Sequence, residues 1–370
     1  MAPAEPPGTV AGAGYEEGYQ WARETRSPRP REPRPLEASC DEADEALRRV
    51  AERIARRSLR GHPMLDGPEL VFALRAEGAP YVWPKVWTLA GAKPDETEVL
   101  ERWQRWLGSF SEGGTRRCGV ARARDRDRMV VVGVASDVEA DLSPVSTTAR
   151  VGQWMTVEGR LLGAASDAKL VILGPRGRPR PVPASLYQGR ARASFSLDQP
   201  GSWVIQLLGT TDRGPRPVAE ALVYVGVRPP ATFHASEAPG DRAGEGAGDA
   251  PAAIQRMINS ARASEGLGAL RRDRELDGLA EAHAAAMAKA RLLGHDTGDG
   301  DPAVRAAGIG VRIVAENVAH AASLPRAHRA LWASPSHRDN ILFERFDAVG
   351  VGVVSDTDGS FWVCELFAAR

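Results

Sequence analysis

The spacing of apolar residues changes along residues 252–370, and this change limits the fold of that region more than any other feature. Two stretches, Ile254 to Ala261 and Leu276 to Met287, carry apolar side chains at the three- and four-residue spacing of amphipathic helices. A third helix is predicted from Leu324 to Ala333. Val349 to Val354 then alternates as a strand does, and the alternation resumes after a turn. We therefore predict an α+β region with helices outside an antiparallel sheet.

Four phrases in this region occur in an informative order. They are Gly294-His295-Asp296, a run from Ala315 to Ala319 (A-E-N-V-A), a run from Trp332 to Leu342 (W-A-S-P-S-H-R-D-N-I-L), and the strand from Val349 to Val354. Together they resemble the bacterial branch of the CAP superfamily, the cysteine-rich secretory, antigen 5 and pathogenesis-related proteins, also called SCP-like proteins. The resemblance implies that residues 251–370 form an α-β-α sandwich.

The resemblance also implies a site. In the family, the residues that match His295, Glu316 and His337 point into one cleft. Two neutral imidazoles and a carboxylate can hold a divalent cation such as zinc with an open position, and a carboxylate can also orient a histidine as a general base. The three residues are therefore candidate metal ligands and candidate catalytic residues. The alternative is a buried polar cluster that only locks loops together.

Three positions depart from the family pattern. Ser334 lies near the position where many eukaryotic members have a second cavity glutamate, so the site is a triad at most. Ala315 and Ser336 replace glycines that are usual in the family, one before Glu316 and one before His337. These two replacements indicate that the backbone geometry of the site differs from the family pattern.

The polar residues beside the triad are interpreted as structural. Asn317 and Asn340 are predicted to satisfy backbone groups near turns. Arg338 could bind an anionic ligand, but an arginine on a helix surface more often pairs with a nearby acid, here Asp339 or Glu344.

The remaining chemically active side chains give no further site. His283 lies on an apolar helical stripe and is predicted to be a satisfied core residue, whereas His320 and His328 are predicted to be exposed. Cys364 lies in a predicted strand, where an inert buried thiol is expected. No motif places a serine, cysteine or threonine nucleophile beside the triad, and there is no H-E-x-x-H helix.

Upstream of residue 251 the composition divides the chain into four parts. Residues 1–39 are rich in Pro, Glu, Arg and Gly without a sustained apolar period, which predicts a disordered tail. Residues 40–140 contain three predicted helices followed by two strands, which predicts an α+β domain. Residues 141–228 contain short apolar runs separated by turn signals, which is typical of an all-β sandwich of immunoglobulin-like type. Residues 229–250 are predicted to be a linker.

The predicted elements of residues 40–140 follow the same order as those of the C-terminal region, which suggests an internal repeat. An ungapped comparison places Val86 opposite Glu316 and gives His337 no counterpart, and separately the pair Gly61-His62 resembles Gly294-His295. Residues 42–140 would then be a degenerate CAP-like copy without a functional triad. The alternative is an unrelated α+β domain whose core contains the tryptophans of this region, Trp83, Trp87, Trp103 and Trp106.

Charge and cysteine content narrow the partners. The 48 basic and 48 acidic side chains give a formal net charge of 0, so no global field attracts nucleic acid or an anionic membrane. No apolar run approaches the length of a membrane span, and no signal peptide is visible in residues 1–39. The resemblance nevertheless implies an extracellular or cell-envelope protein. Cys40 and Cys118 could pair in an oxidising compartment, and three free thiols are an equal alternative.

Three hypotheses for the function follow. The first is an extracytoplasmic CAP-domain protein that binds a divalent metal, a small lipid-like or peptide ligand, or both, in the His/Glu cleft. The second is a hydrolase, metal-assisted or based on His and Glu, that acts on peptides or cell-wall material. The third is an adhesive or structural protein that contacts a protein or cell-envelope partner through the β-sandwich.

Overall fold

The computed structural model describes residues 18–28, 31–65, 67–92, 94–110, 114–162, 167–211, 214–234 and 237–370. Helices and strands are both abundant and the strands form several sheets, which confirms the predicted α+β class. No helix in these ranges is long and apolar enough to cross a membrane.

The first unit of structure contains a four-stranded sheet with helices around it. A short strand, β1, and a 3-10 helix (Glu37–Ser39) come first in the chain. One strand then precedes two helices, a second strand precedes a third helix, and two more strands follow. The bounds are β1 (Glu24–Thr25), β2 (Glu42–Ala43), α1 (Glu45–Leu59), α2 (Gly67–Ala76), β3 (Lys85–Gly91), α3 (Glu96–Leu107), β4 (Thr115–Arg124) and β5 (Met129–Val138). The strand order is β2-β4-β5-β3. We call residues 42–138, from β2 to β5, the N-terminal unit.

The predicted disordered tail is partly ordered. Residues 1–17 lie outside the described residues, but β1 pairs with residues 145–146, and Trp21 packs edge-on against Phe72 and Tyr224. Thr25 and Glu37 are buried. The prediction of disorder is therefore wrong for residues 18–28 and 31–39. Single aromatic and polar side chains of this segment are buried against the rest of the protein, and they are too isolated in the sequence to form an apolar periodicity.

Cys40 and Cys118 form a disulfide that joins the segment before β2 to strand β4. The structure thus resolves the two alternatives left by the sequence in favour of pairing. Cys364 is a free, buried thiol, as predicted.

The central part consists of two sheets around one apolar core. One sheet has the order β11-β10-β14-β15-β8 and the other the order β12-β13-β9-β6. Its strands are β6 (Ala140–Leu142), β7 (Val145–Ser146), β8 (Thr148–Ala149), β9 (Trp154–Leu161), β10 (Asp167–Leu173), β11 (Arg180–Val182), β12 (Ser185–Tyr187), β13 (Arg190–Ser196), β14 (Gly201–Thr211) and β15 (Gly214–Val225). The alternation of buried and exposed residues along β9 and β13 places every second side chain in this core. The immunoglobulin-like type stays a prediction.

The last unit is a second four-stranded sheet between helices. Its elements are α4 (Ala250–Ser264), β16 (Arg271–Arg272), α5 (Arg274–Ala290), α6 (Pro302–Arg305), β17 (Ile313–Ala321), α7 (Leu324–Ala333), α8 (Pro335–Ile341), β18 (Ala348–Ser355) and β19 (Phe361–Ala369). Helix α5 packs on one face of the sheet, and α4, α7 and α8 pack on the other. We call residues 250–370 the C-terminal unit.

The two units have the same topology. The orders β2-β4-β5-β3 and β16-β18-β19-β17 correspond strand by strand. In both, the first pair is parallel and the other two pairs are antiparallel. The predicted degenerate copy stays a prediction, and this shared topology supports it.

The two units also share a close approach of helix to sheet. A Cβ atom on Gly119 would lie 2.0 Å from the Arg48 amide nitrogen in α1, and one on Gly350 would lie 2.1 Å from the Leu276 carbonyl carbon in α5. Only glycine therefore fits at either position. Through the antiparallel ladders, Gly119 aligns with Val134 and Val86, whereas Gly350 aligns with Leu366 and Glu316. The structure thus places Val86 opposite Glu316, as the ungapped comparison does.

Candidate functional site

The candidate site of the C-terminal unit is built from strands β17 and β19, helices α5, α6 and α8, and the loop between α5 and α6. Helix α5 ends at Arg291 in a left-handed conformation, and the chain then turns through His295 toward α6. Glu316 lies in the middle of β17, and His337 lies in α8. Elements far apart in the sequence therefore bring the three predicted residues into one region.

Glu316 is the centre of the cluster. Its side chain is 1% exposed, and its Oε1 atom lies 3.0 Å from Nδ1 of His295. Its Oε2 atom accepts a hydrogen bond from a guanidinium nitrogen of Arg305 and one at 3.2 Å from the Cys364 thiol. Because a carboxylate only accepts, Nδ1 of His295 must donate. The Nε2 atom of His295, whose side chain is 51% exposed, is left for another partner.

Sequence reasoning missed three members of this cluster. His283 is fully buried, as predicted, but its Nε2 atom lies 3.7 Å from Glu316 Oε1. Its ring nitrogens donate to Asp299 Oδ2 at 2.7 Å and to the Gly294 carbonyl at 2.9 Å. Both ring nitrogens of His283 are therefore held by oxygen atoms inside the cluster. The apolar stripe of α5 correctly predicted that His283 is buried. It gave no information on the hydrogen-bond partners of His283.

Arg305 in α6 ties the loop to the carboxylate. Its guanidinium donates to Glu316 and, at 2.9 Å, to the carbonyl of His295, and its side chain is 7% exposed. It also lies 3.7 Å from Asp299. The cluster therefore brings His283 and Arg305 against two carboxylates, those of Asp299 and Glu316. An acidic loop followed by an arginine in a helix was the available sequence signal.

The electrostatics follow from these contacts. Burial favours a raised pKa for Glu316, but the His295 hydrogen bond and the charges of Arg305 and His283 outweigh it and lower that pKa. Burial also opposes ionisation of Asp299, yet its bond to His283 lowers the Asp299 pKa to about 2. Burial and the adjacent Glu316 charge raise the pKa of Cys364 well above its usual range. This thiol is therefore protonated and is not a nucleophile.

His337 has a different electrostatic environment. Burial, together with a smaller effect of His295, lowers its pKa to about 4. His337 is thus neutral near pH 7, and one of its ring nitrogens has a free lone pair. The backbone of His337 is joined to strand β17 by the bond from Asn317, the residue that follows Glu316.

A second polar network lies behind His337, on the opposite face of the sheet from α5. Asn317 donates to the His337 carbonyl at 3.1 Å and to Glu365 at 2.9 Å, and Asn340 donates to the Glu316 carbonyl at 3.2 Å. Both asparagines therefore satisfy backbone groups, as predicted. Glu365 is fully buried, and burial raises its pKa to about 7 against the opposing effect of its Asn317 bond.

Arg338 does not make the predicted surface ion pair. Its side chain is buried, its Nε atom donates to the Trp332 carbonyl at 2.7 Å, and its guanidinium lies 4.1 Å from the centroid of the Trp332 ring. Asp339 and Glu344 pair instead with Arg178 from the central sandwich, each at 3.2 Å. The partner of the two acidic residues is distant in the sequence, so no local sequence pattern could predict these ion pairs.

Two of the remaining histidines were predicted to be exposed, and one prediction is wrong. His320 is exposed and stacks on Trp362 with ring centroids 4.1 Å apart. His328 is fully buried, because its Nε2 atom bonds to the Pro239 carbonyl at 2.9 Å in the segment before α4. The apolar stripe of α7 includes this histidine.

The donor atoms set limits on a metal site. Within the described parts of the chain, no group of three or more His, Cys, Asp and Glu side chains has the arrangement of a metal site. Arg305 already occupies one oxygen of Glu316, and His295 occupies the other. Glu316 therefore fits the role of a carboxylate that orients a ligating histidine, an arrangement common around zinc. The donors that fit a metal ion are the imidazoles of His295 and His337.

The sequence matches a protein family in this region. The family model described as "CAP: Cysteine-rich secretory protein family" matches residues 255–366, which confirms the predicted C-terminal CAP domain. No curated protein matches the chain.

The solved structures to which this chain shows similarity include three bacterial proteins. An outer surface protein from Borrelia burgdorferi is 24% identical over 32% of this chain and 90% of its own, with a TM-score of 0.30. An extracellular protein containing an SCP domain from Bacillus anthracis is 20% identical over 48% of this chain and 67% of its own, with a TM-score of 0.30. A cysteine-rich secretory protein from Staphylococcus aureus is 12% identical over 68% of this chain and 83% of its own, with a TM-score of 0.29.

Proposed function

Because residues 255–366 are a CAP domain, we propose that this chain is an extracytoplasmic binding protein whose cleft binds a divalent metal ion, zinc in the first instance, through His295 and His337. The observation that carries this proposal is the hydrogen bond from His295 Nδ1 to the buried Glu316 carboxylate. It fixes the tautomer of His295 and presents Nε2 as the metal-binding atom. Glu316 is thus an orienting residue.

The neutral state of His337 supports the same proposal. A metal ion displaces the proton of its ligands, and an imidazole with a pKa of about 4 has no proton to lose near pH 7. The ion pair between Arg305 and Glu316 also supports it, because the carboxylate compensates the guanidinium charge, which would otherwise repel a cation. Two protein ligands leave open positions at zinc for a donor atom of a peptide or lipid-like ligand.

The disulfide supports the proposed compartment. Cys40 and Cys118 are bonded, and disulfides persist mainly in secreted and cell-envelope proteins. The proposal for the compartment therefore rests on a feature outside the CAP domain.

A hydrolase has no observation in its favour. Among the described residues, the side chains of His295 and His337 make no hydrogen bond to a serine, threonine or cysteine, and the nearby Cys364 thiol is protonated. General-base catalysis needs a nucleophile or a positioned water beside the base. We therefore propose binding as the function that the described contacts support best.

Calorimetry with zinc chloride tests the proposal. The wild-type chain should bind one zinc ion, and His295→Ala or His337→Ala should each lower the affinity at least about tenfold, because each removes one of two ligands. His62→Ala is the matched control, since His62 follows α1 as His295 follows α5, and it should bind as the wild type does. Circular dichroism establishes that each variant is folded. Unchanged zinc uptake in folded His295→Ala and His337→Ala would overturn the proposal.

A further inference from the structure

The N-terminal unit has an open aromatic pocket where the C-terminal unit has helix α8. In the C-terminal unit, Asn317 on β17 bonds to the backbone of α8. The register of the two sheets places Trp87 of β3 opposite Asn317. Between α3 and β4 the described residues contain no second helix, so Trp87 stays partly exposed. The face that α8 covers in one unit is therefore open in the other.

The pocket has a defined size and lining. It has a volume of about 390 Å³ and lies between β3 and α3. Its lining consists of two aromatic rings, two guanidinium groups and one hydroxyl, from Trp87, Trp106, Arg102, Arg105 and Ser109. No acidic residue is among them. This volume is in the range of pockets that take one small ring system.

The aromatic rings are fixed from behind. Trp103 is fully buried, stacks on Trp106 with centroids 5.1 Å apart, and lies 5.6 Å from Trp87. Its indole nitrogen donates to the Leu36 carbonyl at 2.9 Å. A Cβ atom at Gly133 would lie 2.1 Å from the Trp103 ring, so the sheet itself is shaped around this side chain. The two pocket rings therefore bind without a large ordering cost.

The charge around the pocket is positive. Arg102 pairs with Glu98 at 2.6 Å, but Arg105 is exposed and makes no ion pair among the described residues. Phe110, which packs on Trp106 at 4.9 Å, is itself covered by Lys85 at 4.3 Å. A free guanidinium beside a fixed indole offers a charge-assisted hydrogen bond next to an apolar surface. The chemistry that complements both is an anion attached to a ring with an apolar face.

We propose that this pocket binds an acidic sugar unit of an anionic polysaccharide. The C–H face of a pyranose ring packs on Trp106 or Trp87, the sugar carboxylate accepts from Arg105, and the Ser109 hydroxyl pairs with a ring hydroxyl. Nucleic acid has the same two features, but the chain has a formal net charge of 0 and lacks the basic field that nucleic-acid binding uses. The proposal is independent of the metal site.

Binding of the full chain to an oligogalacturonate, measured by calorimetry and tryptophan fluorescence, tests the proposal. The wild type should bind the oligogalacturonate and not a neutral galactan oligosaccharide of equal length. Arg105→Gln should weaken binding at least about tenfold, because it removes a charge-assisted bond. Trp106→Phe should weaken it less, since it keeps an aromatic ring.

Two control variants separate this site from nonspecific binding. Trp154→Ala removes a tryptophan that is 73% exposed on the central sandwich, and Arg128→Gln removes an exposed arginine from the β4–β5 turn of the same unit. Both should bind the oligogalacturonate as the wild type does. Equal binding of the neutral oligosaccharide, tighter binding of a single-stranded oligonucleotide, no binding at all, or unchanged binding by Arg105→Gln would each overturn the proposal.

Discussion

The N-terminal and C-terminal units share one topology but fill it with opposite chemistry. At three positions that the sheet registers align, the N-terminal unit has an apolar or small residue and the C-terminal unit a polar one: Val86 and Glu316, Trp87 and Asn317, Gly133 and Glu365. Ile54 and His283 make a fourth pair, since each lies equally far from the capping aspartate of its helix, Asp44 or Asp273.

This difference bears on what the buried polar cluster is for. The N-terminal unit shows that the topology can be built around Ile54 and Val86 without buried charges at those positions. Burying charges costs desolvation free energy even when they are paired. A cluster that the fold does not need is better explained by a binding role than by locking loops, and we infer such a role for the polar cluster of the C-terminal unit.

The variant expected to have the largest effect makes the C-terminal unit resemble the N-terminal one. Glu316→Val leaves the buried Arg305 guanidinium without its carboxylate, which should reduce the free energy of unfolding by about 3–5 kcal/mol. Chemical denaturation measures this change. The second substitution in Glu316→Val/Arg305→Leu removes the unpaired charge and should recover part of the loss. A Glu316→Val protein of wild-type stability would show that the cluster contributes nothing to folding.

The next variant affects the disulfide that joins Cys40, just before the N-terminal unit, to Cys118 of that unit. Replacing both cysteines, in Cys40→Ala/Cys118→Ala, removes the disulfide and should reduce stability by about 2–5 kcal/mol, because the unfolded chain gains conformational freedom. Cys364→Ala is the control, since that thiol is free. Zinc affinity should stay unchanged in the double variant. Loss of zinc binding would mean that the two units do not act separately.

A smaller, pH-dependent effect on stability is expected at Glu365, whose aligned residue in the N-terminal unit is Gly133. Its folded pKa of about 7 lies above the unfolded value, so the folded state retains a proton that the unfolded state loses. The Glu365 contribution to stability is therefore fully present below the unfolded pKa and decreases as pH rises toward 7, by up to about 3 kcal/mol.

Glu365→Gln keeps an acceptor for Asn317 and removes the charge. The variant should be more stable than the wild type at pH 8 and similar to it at pH 4.5, as measured by denaturation at both values. The change Glu275→Gln, at an exposed acid of α5, serves as the control and should show no such pH dependence. A variant that is less stable than the wild type at pH 8 would contradict the assigned environment of Glu365.

The sequence predicted the long helices better than the short elements. Apolar stripes located α4 and α5, because each has several buried residues at helical spacing. Strands β2 and β16 have two residues each and cannot show a period. Helix α6 has four residues and no buried one, so it also escaped prediction.

The site was predictable only where a motif marked it. The motifs gave His295, Glu316 and His337, which the fold brings into one region. Asp299 lies in a loop and Arg305 in the short helix α6, and neither element has an apolar periodicity or a motif. The contacts of Asp299 with His283 and of Arg305 with Glu316 form only when the chain folds. The same reason explains Arg338, whose predicted partners bind Arg178 from the central sandwich.

Nitrogen NMR of the imidazole side chains tests the central claim most directly. The chain has 7 histidines, so each ring can be assigned by single substitution. Adding zinc at pH 7 should shift the ring nitrogens of His295 and His337 and leave those of His62 and His320 unchanged, with Nε2 of His295 as the bound atom. If zinc shifts neither His295 nor His337, or shifts the other histidines equally, the account of the C-terminal cleft is contradicted.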